Sequence, residues 1–235
     1  MFKTSVTASF LLATLIACAR IGGSSDVNET RTQTTGSVTF QLEVWADNWF
    51  AAYLGDDLLV EDSVPITTER SFNAERVTFD ADYPLHLNFV LKDFKESDSG
   101  LEYIGERNQQ MGDGGFIMQL TETVSGTVVA VSRQEWACTV IHKAPLDKTC
   151  RDEDNPVPGE GPCRFISLDE PAGWKAPEFD DRGWTSTTVH SERAVNPKHG
   201  YDEIDWDPRT ELIWGPDLEI DNTLLCRITV DAGGF

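Results

Sequence analysis

The first residues that could do chemistry lie in the segment Glu43 to Asp62, which reads EVWADNWFAAYLGDDLLVED. Asp47 and Asn48 supply a carboxylate and an amide, groups that bond neighbouring hydroxyls of a sugar. Trp49 and Tyr53 supply aromatic faces, which stack on the apolar face of a sugar ring. These four side chains form the predicted carbohydrate site. The structural alternative is an edge strand that bends at Asp47 to begin a turn.

A second candidate is the glycine-rich segment Asn108 to Phe116, NQQMGDGGF, which leads into a strand-like run. Its amides and carboxylate favour a ligand loop, with the candidate side chains Asn108, Gln109, Gln110 and Asp113. A flexible connection without a ligand is the structural alternative. No Lys-Ser/Thr pair follows the glycines, so the segment does not predict a phosphate-binding loop.

A third candidate is the acidic run GYDEIDWDP, from Gly200 to Pro208. Carboxylates among aromatic rings could bind a cation or a sugar. A solvated acidic loop is the alternative. The side chains concerned are Tyr201, Asp202, Glu203, Asp205, Trp206 and Asp207.

Catalytic signatures are missing from the sequence. It contains no Gly-x-Ser-x-Gly, His-Glu-x-x-His or Ser-x-x-Lys motif, and its 4 histidines form no pair with metal-ligand spacing. A carboxylate pair could hydrolyse a glycosidic bond, but among 40 acidic residues no pair stands out. The sequence therefore favours a binding protein, with a small hydrolase that uses acidic residues as an alternative.

The net charge is −21, from 19 basic and 40 acidic residues. Such a charge repels nucleic-acid phosphates and anionic lipid surfaces, so no nucleic-acid partner is expected. It is compatible with high solubility, a salty medium or the binding of divalent cations.

The N-terminal segment predicts export. Residues 1–17 carry one lysine and an apolar run that is too short to span a bilayer, as in a signal peptide. The run ends in Leu15-Ile16-Ala17-Cys18, which resembles the bacterial lipobox with Cys18 as the lipidated residue. A cut after Ala17 or Ala19 without lipid is the alternative. Residues 18–37 are predicted to be a flexible, lipid-attached tether, the only membrane attachment expected. The protein is thus lipid-anchored in the cell envelope or secreted.

Cysteine parity supports export, because Cys138, Cys150, Cys163 and Cys226 remain once Cys18 is lipidated or removed. An even set in an exported protein predicts two disulfides. We favour Cys150–Cys163, because the Pro/Gly/Asp loop between them has no other means of ordering itself. This choice leaves Cys138 with Cys226, both in strand-like runs. No Cys-x-x-Cys pair suggests a metal site.

From Val38 onward the hydrophobic period is two, and long helical patterns are absent. Gly55-Asp56-Asp57 is a hairpin signal between two strand-like runs. This pattern predicts an all-β fold, an antiparallel sandwich formed by residues 38–235 as a single domain. Long loops are expected at 92–115, 143–165 and 190–210, and long loops in compact domains are usually functional. Trp45 and Trp49, four residues apart, would point to the same side of a regular strand.

Two segments resemble the galactose-binding-like jelly rolls, including the sandwich modules attached to glycoside hydrolases. ADNWFAAYLGDDLLV matches their acidic, aromatic, tyrosine and tight-turn pattern, and GWKAPEFDDRGWTSTTV resembles their Phe-Asp-Asp-x-x-Trp segment. In those modules the Asp-Asp-Trp segment normally precedes the hairpin segment, whereas here it follows. The resemblance implies a jelly roll that binds carbohydrate.

Asp180 and Asp181, in the second of these segments, have two interpretations. Acidic loops hold Ca²⁺ through carboxylate and carbonyl oxygens, which makes these two residues the predicted metal ligands. The alternative is structural: their carboxylates accept hydrogen bonds from turn N–H groups while Trp184 packs at the sandwich edge.

Taken together, the sequence predicts an exported, disulfide-stabilised β-sandwich that binds a carbohydrate or glycoconjugate without catalysis, with Ca²⁺ as a candidate cofactor. A structural or adhesion surface lipoprotein that binds another protein is the second hypothesis. A broad exposed apolar patch would favour adhesion, whereas a carboxyl group with a strongly raised pKa in a cleft would favour the hydrolase.

Overall fold

The computed structural model describes residues 37–68, 70, 73–93 and 95–234. The predicted signal peptide, the lipidation site Cys18 and the tether up to residue 36 lie outside the described residues.

Strands dominate the described chain, as the period-two pattern predicts. In chain order they are β1 (Val38–Asp47), β2 (Trp49–Leu54), β3 (Asp57–Glu61), β4 (Glu75–Ala81), β5 (Leu85–Lys92), β6 (Leu101–Glu102), β7 (Gln110–Met111), β8 (Gly115–Glu122), β9 (Thr127–Val131), β10 (Ala137–Lys143), β11 (Ile166–Ser167), β12 (Thr185–Ser186), β13 (Thr188–Val189), β14 (Ile213–Trp214) and β15 (Asp221–Val230).

The strands form two large antiparallel sheets and one small one. The first sheet has the order β13-β14-β8-β1-β4, with β9 also paired to β8. The second has the order β11-β10-β15-β5-β2-β3, with β12 also paired to β10, and β6 and β7 pair with each other. The predicted all-β, antiparallel sandwich is confirmed, and its architecture is compatible with a jelly roll.

The core lies between the two large sheets and is built from alternate residues of each strand. The first sheet contributes Phe40, Leu42, Phe116 and Met118, whereas the second contributes residues such as Phe89. Since successive side chains of a strand point to opposite faces, this alternation assigns one face of each sheet to the shared core.

The chain changes sheets directly after Asp47. Residues 40–47 pair with β8 in the first sheet, whereas Trp49 begins β2 and pairs with Lys92 in the second. The Asp47–Asn48 peptide at this corner is cis. Trp45 and Trp49 consequently lie on the outer faces of different sheets, and the expectation that they share one side is wrong.

Long loops cover both outer faces. On the first sheet, Trp45 is fully buried against Val195 and Leu212. Its indole nitrogen donates a hydrogen bond of 3.0 Å to the carbonyl of His199, and the Tyr201 ring packs edge-on against it. On the second sheet, the loop residue Trp174 packs over Ala51 and Leu225 and covers the outer face there.

Both predicted disulfides are present. Cys138 and Cys226 face each other on β10 and β15 inside the main core. Cys150–Cys163 closes the loop between β10 and β11, where Cys150 belongs to a 3-10 helix, Lys148–Asp152. Disulfides persist in oxidising compartments, so this pair of bonds is typical of an extracellular or envelope protein.

Helices are short in the described part of the chain. Besides Lys148–Asp152, they are α1 (Glu192–Val195) and the 3-10 helix Tyr201–Glu203. None of the described helices has the length and hydropathy needed to cross a membrane.

One buried carboxyl makes folding sensitive to pH. Asp62, which follows β3, is 5% exposed and accepts a hydrogen bond of 2.8 Å from the backbone N–H of Val64. Burial, opposed by this bond, raises the pKa of Asp62 to about 7.

We expect the folded state to bind a proton at Asp62 that the unfolded chain releases. The free energy of unfolding should therefore fall by on the order of 1 kcal/mol per pH unit between about pH 4 and about pH 7 through this group. Urea unfolding followed by tryptophan fluorescence measures the slope. Asp62→Asn should remove this contribution, and an unchanged slope in that variant would contradict it.

Candidate functional site

Asp47, the first of the predicted sugar ligands, lines a polar cavity of about 460 Å³, here named the Asp47 cleft. Its volume lies within the range of roughly 300–1,000 Å³ that is usual for small-molecule sites. The lining residues are Asp47, Arg70, Glu102, Tyr103, Asn108, Gln110, Asp113, Asn196, Lys198 and His199.

The sheet-switching corner places Asp47 in this cleft. Asp47 is the last residue of β1 and pairs with Gly115, the first residue of β8, so it lies where two strands end. Loops 92–115 and 190–210 meet over these strand ends and supply the other lining side chains, apart from Arg70. The predicted ligand loop and the predicted ligand Asp47 therefore belong to one site.

The glycines of the segment 108–116 serve close packing. A Cβ atom on Gly115 would lie 2.4 Å from Cγ1 of Val195, the buried residue of α1. A Cβ on Gly114 would lie 2.3 Å from the Trp214 ring. Only glycine lets α1 and Trp214 approach the start of β8, and this approach brings Asn196 and Lys198 to the cleft.

The carboxylate of Asp47 is buried without a hydrogen-bond partner. Asp47 is 3% exposed, none of the described residues donates a hydrogen bond to its side chain, and the exposed part of its carboxylate faces the cleft. Burial raises the pKa of Asp47 well above its usual range, and the nearby carboxylates of Asp113 and Glu102 raise it further, whereas Lys198 opposes them. Burial likewise raises the pKa of Asp113.

Such an arrangement costs free energy in the unliganded protein, because a carboxylate in this position loses part of its hydration and gains no protein donor in return. A ligand that donates hydrogen bonds to Asp47 would recover this cost. The geometry therefore suits hydroxyl or amine groups better than acceptor-only or apolar ligands.

The two glutamines of the predicted ligand loop, Gln109 and Gln110, have different structural roles. Gln110 extends into the cleft region and donates a hydrogen bond of 2.8 Å to Glu102. Gln109 ties the loop to its neighbours: its amide nitrogen donates to the carbonyls of Arg151 and Glu153, and its amide oxygen accepts from the N–H of Gly105. Gln109 thus holds the loop, while Asn108 and Gln110 line the cleft.

A second cavity, of about 700 Å³, adjoins the Asp47 cleft. The two cavities share Gln110 and Asp113, and the second is also lined by Arg151, His190 and Ala194. Residues of all three predicted long loops therefore line two adjoining cavities at this end of the sandwich.

The Cys150–Cys163 disulfide supports the wall between these cavities. The two sulfur-bearing residues pack against Leu101 and Met111, which are the neighbours of Glu102 and Gln110 in β6 and β7. A loop without regular hydrogen bonding would otherwise leave this wall without backing.

The other predicted sugar ligands lie elsewhere. Asn48 is buried at the corner beside Asp47. Trp49 and Tyr53 lie on the outer face of the second sheet, beside Trp174. The structure therefore separates the two aromatic residues from the Asp47 cleft, which they do not line.

A lysine ammonium group lies over the ring of each of these two aromatic residues. The ammonium of Lys92 lies 5.1 Å from the centroid of the Trp49 ring, and that of Lys175 lies 3.6 Å from the centroid of the Tyr53 ring. A sugar that stacks on either face would have to displace a cation–π contact.

Asp180 and Asp181 are each paired with an arginine. Asp180 accepts two short hydrogen bonds from the exposed guanidinium of Arg182. Asp181 accepts a bond of 2.7 Å from Arg227, which is 8% exposed. Arg227 also donates to the carbonyls of Ala176 and Phe179 and so attaches the whole segment to the second sheet.

The backbone N–H of Arg182 also donates to Asp180, at 3.2 Å, and the Trp184 ring packs beside Trp174 and Phe179, as the structural interpretation expects. Within the described residues no group of three or more His, Cys, Asp or Glu side chains is arranged to hold a metal ion. The assignment of Ca²⁺ to Asp180 and Asp181 therefore stays a prediction.

The acidic run after Gly200 covers the outer face of the first sheet. The Trp206 indole donates to the carbonyl of Tyr201, and Tyr201 packs on Trp45. Asp207 is bound by Arg209 at 2.8 Å. The run holds its own aromatic residues in place, and none of its residues lines the Asp47 cleft.

Sequence reasoning missed several cleft residues. Glu102, Asn196, Lys198 and His199 carry no recognisable spacing, because they approach Asp47 only through the packing of two loops. The available signal was the length of those loops, which predicts function but no particular side chain.

The comparisons with known proteins add no relative to this geometry. No family model, no curated protein and no solved structure matches the chain.

The two neighbouring aspartates allow a matched test of the structural interpretation. Asp181→Asn should lower the free energy of unfolding by about 1–2 kcal/mol, because Arg227 loses a charged partner in a half-buried place. Asp180→Asn should change it little, since its ion pair with Arg182 is exposed. Urea unfolding, carried out with added Ca²⁺ and with a chelator, measures the stability of both variants and any effect of the metal on it. A Ca²⁺-dependent shift that Asp180→Asn abolishes would restore the metal assignment.

Proposed function

We propose that this chain is an exported binding protein for carbohydrate and that the Asp47 cleft is its site. One observation carries the proposal: the side chain of Asp47 is 3% exposed, receives no hydrogen bond from the described residues, and opens its carboxylate into a polar cleft of ligand size. A carboxylate that receives no protein donor is completed by water, an ion or a ligand, and a cleft of this size admits a ligand.

The lining of the cleft supports a polyhydroxylated ligand. Carboxylates accept hydrogen bonds from hydroxyls, and the amides of Asn108 and Gln110 both donate and accept. Tyr103, which has a left-handed backbone conformation, adds an aromatic side chain to the same cavity. Sugars present hydroxyls and a small apolar ring face, so this mixture suits them.

The predicted sugar-binding roles of Trp49 and Tyr53 give the proposal a second surface, whereas Asn48, predicted with them, is buried beside Asp47. Trp49 and Tyr53 lie on the outer face of the second sheet, where lysines now cover their rings. The cleft is the stronger site because its polar group lacks a partner, whereas these rings already have one.

Export and anchoring belong to the proposal as well. Two disulfides fit an oxidising compartment. The signal peptide and the lipid on Cys18 rest on the N-terminal sequence. The galactose-binding-like resemblance rests on the two motifs and on a sandwich architecture that is compatible with a jelly roll.

A glycan array with the soluble domain tests the proposal, run once with Ca²⁺ and once with a chelator. Asp47→Asn should weaken a glycan hit by roughly tenfold to a hundredfold, since one hydrogen bond to a charged group is lost. Trp49→Ala should leave the hit unchanged if the cleft is the site. Loss of binding in Trp49→Ala but not in Asp47→Asn would move the site to the outer aromatic surface.

Folding of the variant has its own control. Because burial of the Asp47 carboxylate costs stability, Asp47→Asn should unfold at the same temperature as the native protein or higher near neutral pH. Asp56→Asn, in the exposed turn between β2 and β3, is a charge-matched control that should keep both stability and binding.

A second candidate function, a glycoside hydrolase, is favoured by the same carboxyl. A general acid needs a raised pKa, and Asp47 has one beside the carboxylates of Asp113 and Glu102. In that reaction a protonated Asp47 would donate its proton to the leaving oxygen, while a second carboxylate activates the water that completes the cleavage.

Reducing-end release from the array hits separates these two functions. A binding protein leaves the oligosaccharides intact over prolonged incubation. Cleavage that disappears in Asp47→Asn and in Asp113→Asn, with ligand still bound, would establish the hydrolase instead.

A further inference from the structure

The Asp47 cleft places three carboxylates at one end of the sandwich. Asp47 and Glu102 are both buried, at 3% and 2% exposure, and Asp113 is half-buried. The repulsion between them is large enough to act on Asp47, whose carboxylate responds to both neighbours. A ligand with positive charge would relieve this repulsion and at the same time donate a hydrogen bond to Asp47.

The cations already present lie at the exposed edge of the cleft. Arg70, Lys198 and His199 are exposed. The charge of Lys198 lowers the pKa of both Asp47 and Asp113, and its ammonium donates a hydrogen bond of 2.9 Å to the carbonyl of Asn196. Solvent screens charges in such positions, so they compensate the buried carboxylates only in part.

We propose that the ligand of the Asp47 cleft is an amino sugar, bound with its protonated amine against the carboxylates of Asp47 and Asp113. This inference rests on the proposed carbohydrate function and names its substrate class. The whole molecule agrees with it, because a net charge of −21 attracts cationic glycans and repels those built from uronic acids.

The neighbouring cavity extends the site for a chain of such sugars. It shares Gln110 and Asp113 with the Asp47 cleft, and its own acidic groups Asp217 and Glu219 are bound by Lys148. The carboxylates of Asp217 and Glu219 thus have a cationic partner, whereas Asp47 receives no hydrogen bond from the described residues, so the amine is selected beside Asp47.

Calorimetric titration with four probes tests the proposal. The probes are a β-1,4-linked glucosamine tetramer, its N-acetylated counterpart as the neutral isostere, a galacturonic acid tetramer as the anionic control, and spermidine as a cation without a sugar. The glucosamine tetramer should bind roughly tenfold to a hundredfold more tightly than the other three, as for one hydrogen bond between charged groups.

Each of the other possible results contradicts a different part of the proposal. Equal or tighter binding of the N-acetylated tetramer overturns amine recognition and leaves the carbohydrate function standing. Equal binding of spermidine overturns the sugar and leaves a cation site. No binding by any of the four overturns both the inference and, once a broad glycan array is also blank, the proposed function.

Proton release gives a readout that a purely structural role of Asp47 would not move. Binding of the amine favours the ionised carboxylate, so the glucosamine tetramer should bind more tightly as pH rises through the range in which Asp47 loses its proton, while the amine remains protonated. Titration in two buffers of different ionisation enthalpy counts the protons released.

Two variants and one control complete the test. Asp47→Asn should abolish both the pH dependence and the preference for the glucosamine tetramer over its N-acetylated counterpart. Asp113→Asn, at a less buried position, should reduce the preference by a smaller factor and covers the case in which Asp47→Asn fails to fold. Asp56→Asn should match the native protein. A preference that survives in both cleft variants would overturn the assignment.

Discussion

Both outer faces of this sandwich carry large apolar side chains, and the rest of the structure follows from the need to cover them. Trp45 on one sheet and Ala51, Val90 and Leu225 on the other would be exposed if the strands were joined by tight turns alone. Long loops therefore lie across both faces. Their backbone carbonyls are bound by specific donors: the indole of Trp45 on the first sheet and the guanidinium of Arg227 on the second.

The candidate site is a consequence of this covering. The loop that covers Trp45 continues past α1, and the loop carrying β6 and β7 meets it over the end of β1. The meeting point encloses the carboxylate of Asp47 without giving it a donor. A packed protein seldom accepts that cost unless function requires it, and stability is then lower than the same fold could reach. The Cys150–Cys163 disulfide and the side chain of Gln109 keep the enclosure in place.

The fold was predictable because alternation is a local property. Phe40, Leu42, Leu87 and Phe89 alternate with polar or outward-facing residues, and the faces they define became the core. Cysteine parity and the unstructured loop between Cys150 and Cys163 were likewise sufficient for both disulfides. Alternation did not show where the chain leaves one sheet for the other. For this reason the relation expected between Trp45 and Trp49 was wrong, since two residues of one continuous segment belong to different sheets.

By itself the sequence determined an all-β, antiparallel, disulfide-linked sandwich and named Asp47 and the loop from Asn108 to Asp113 as chemically notable. Only the tertiary structure decided that these two belong to one cleft, that Trp49 and Tyr53 lie on another surface, and that Asp181 is engaged by Arg227. The physical reason is the distance along the chain over which each kind of interaction acts. Strand periodicity and turn chemistry act between neighbouring residues, whereas burial, repulsion between carboxylates and ion pairing depend on which distant segments the packing of the loops brings together.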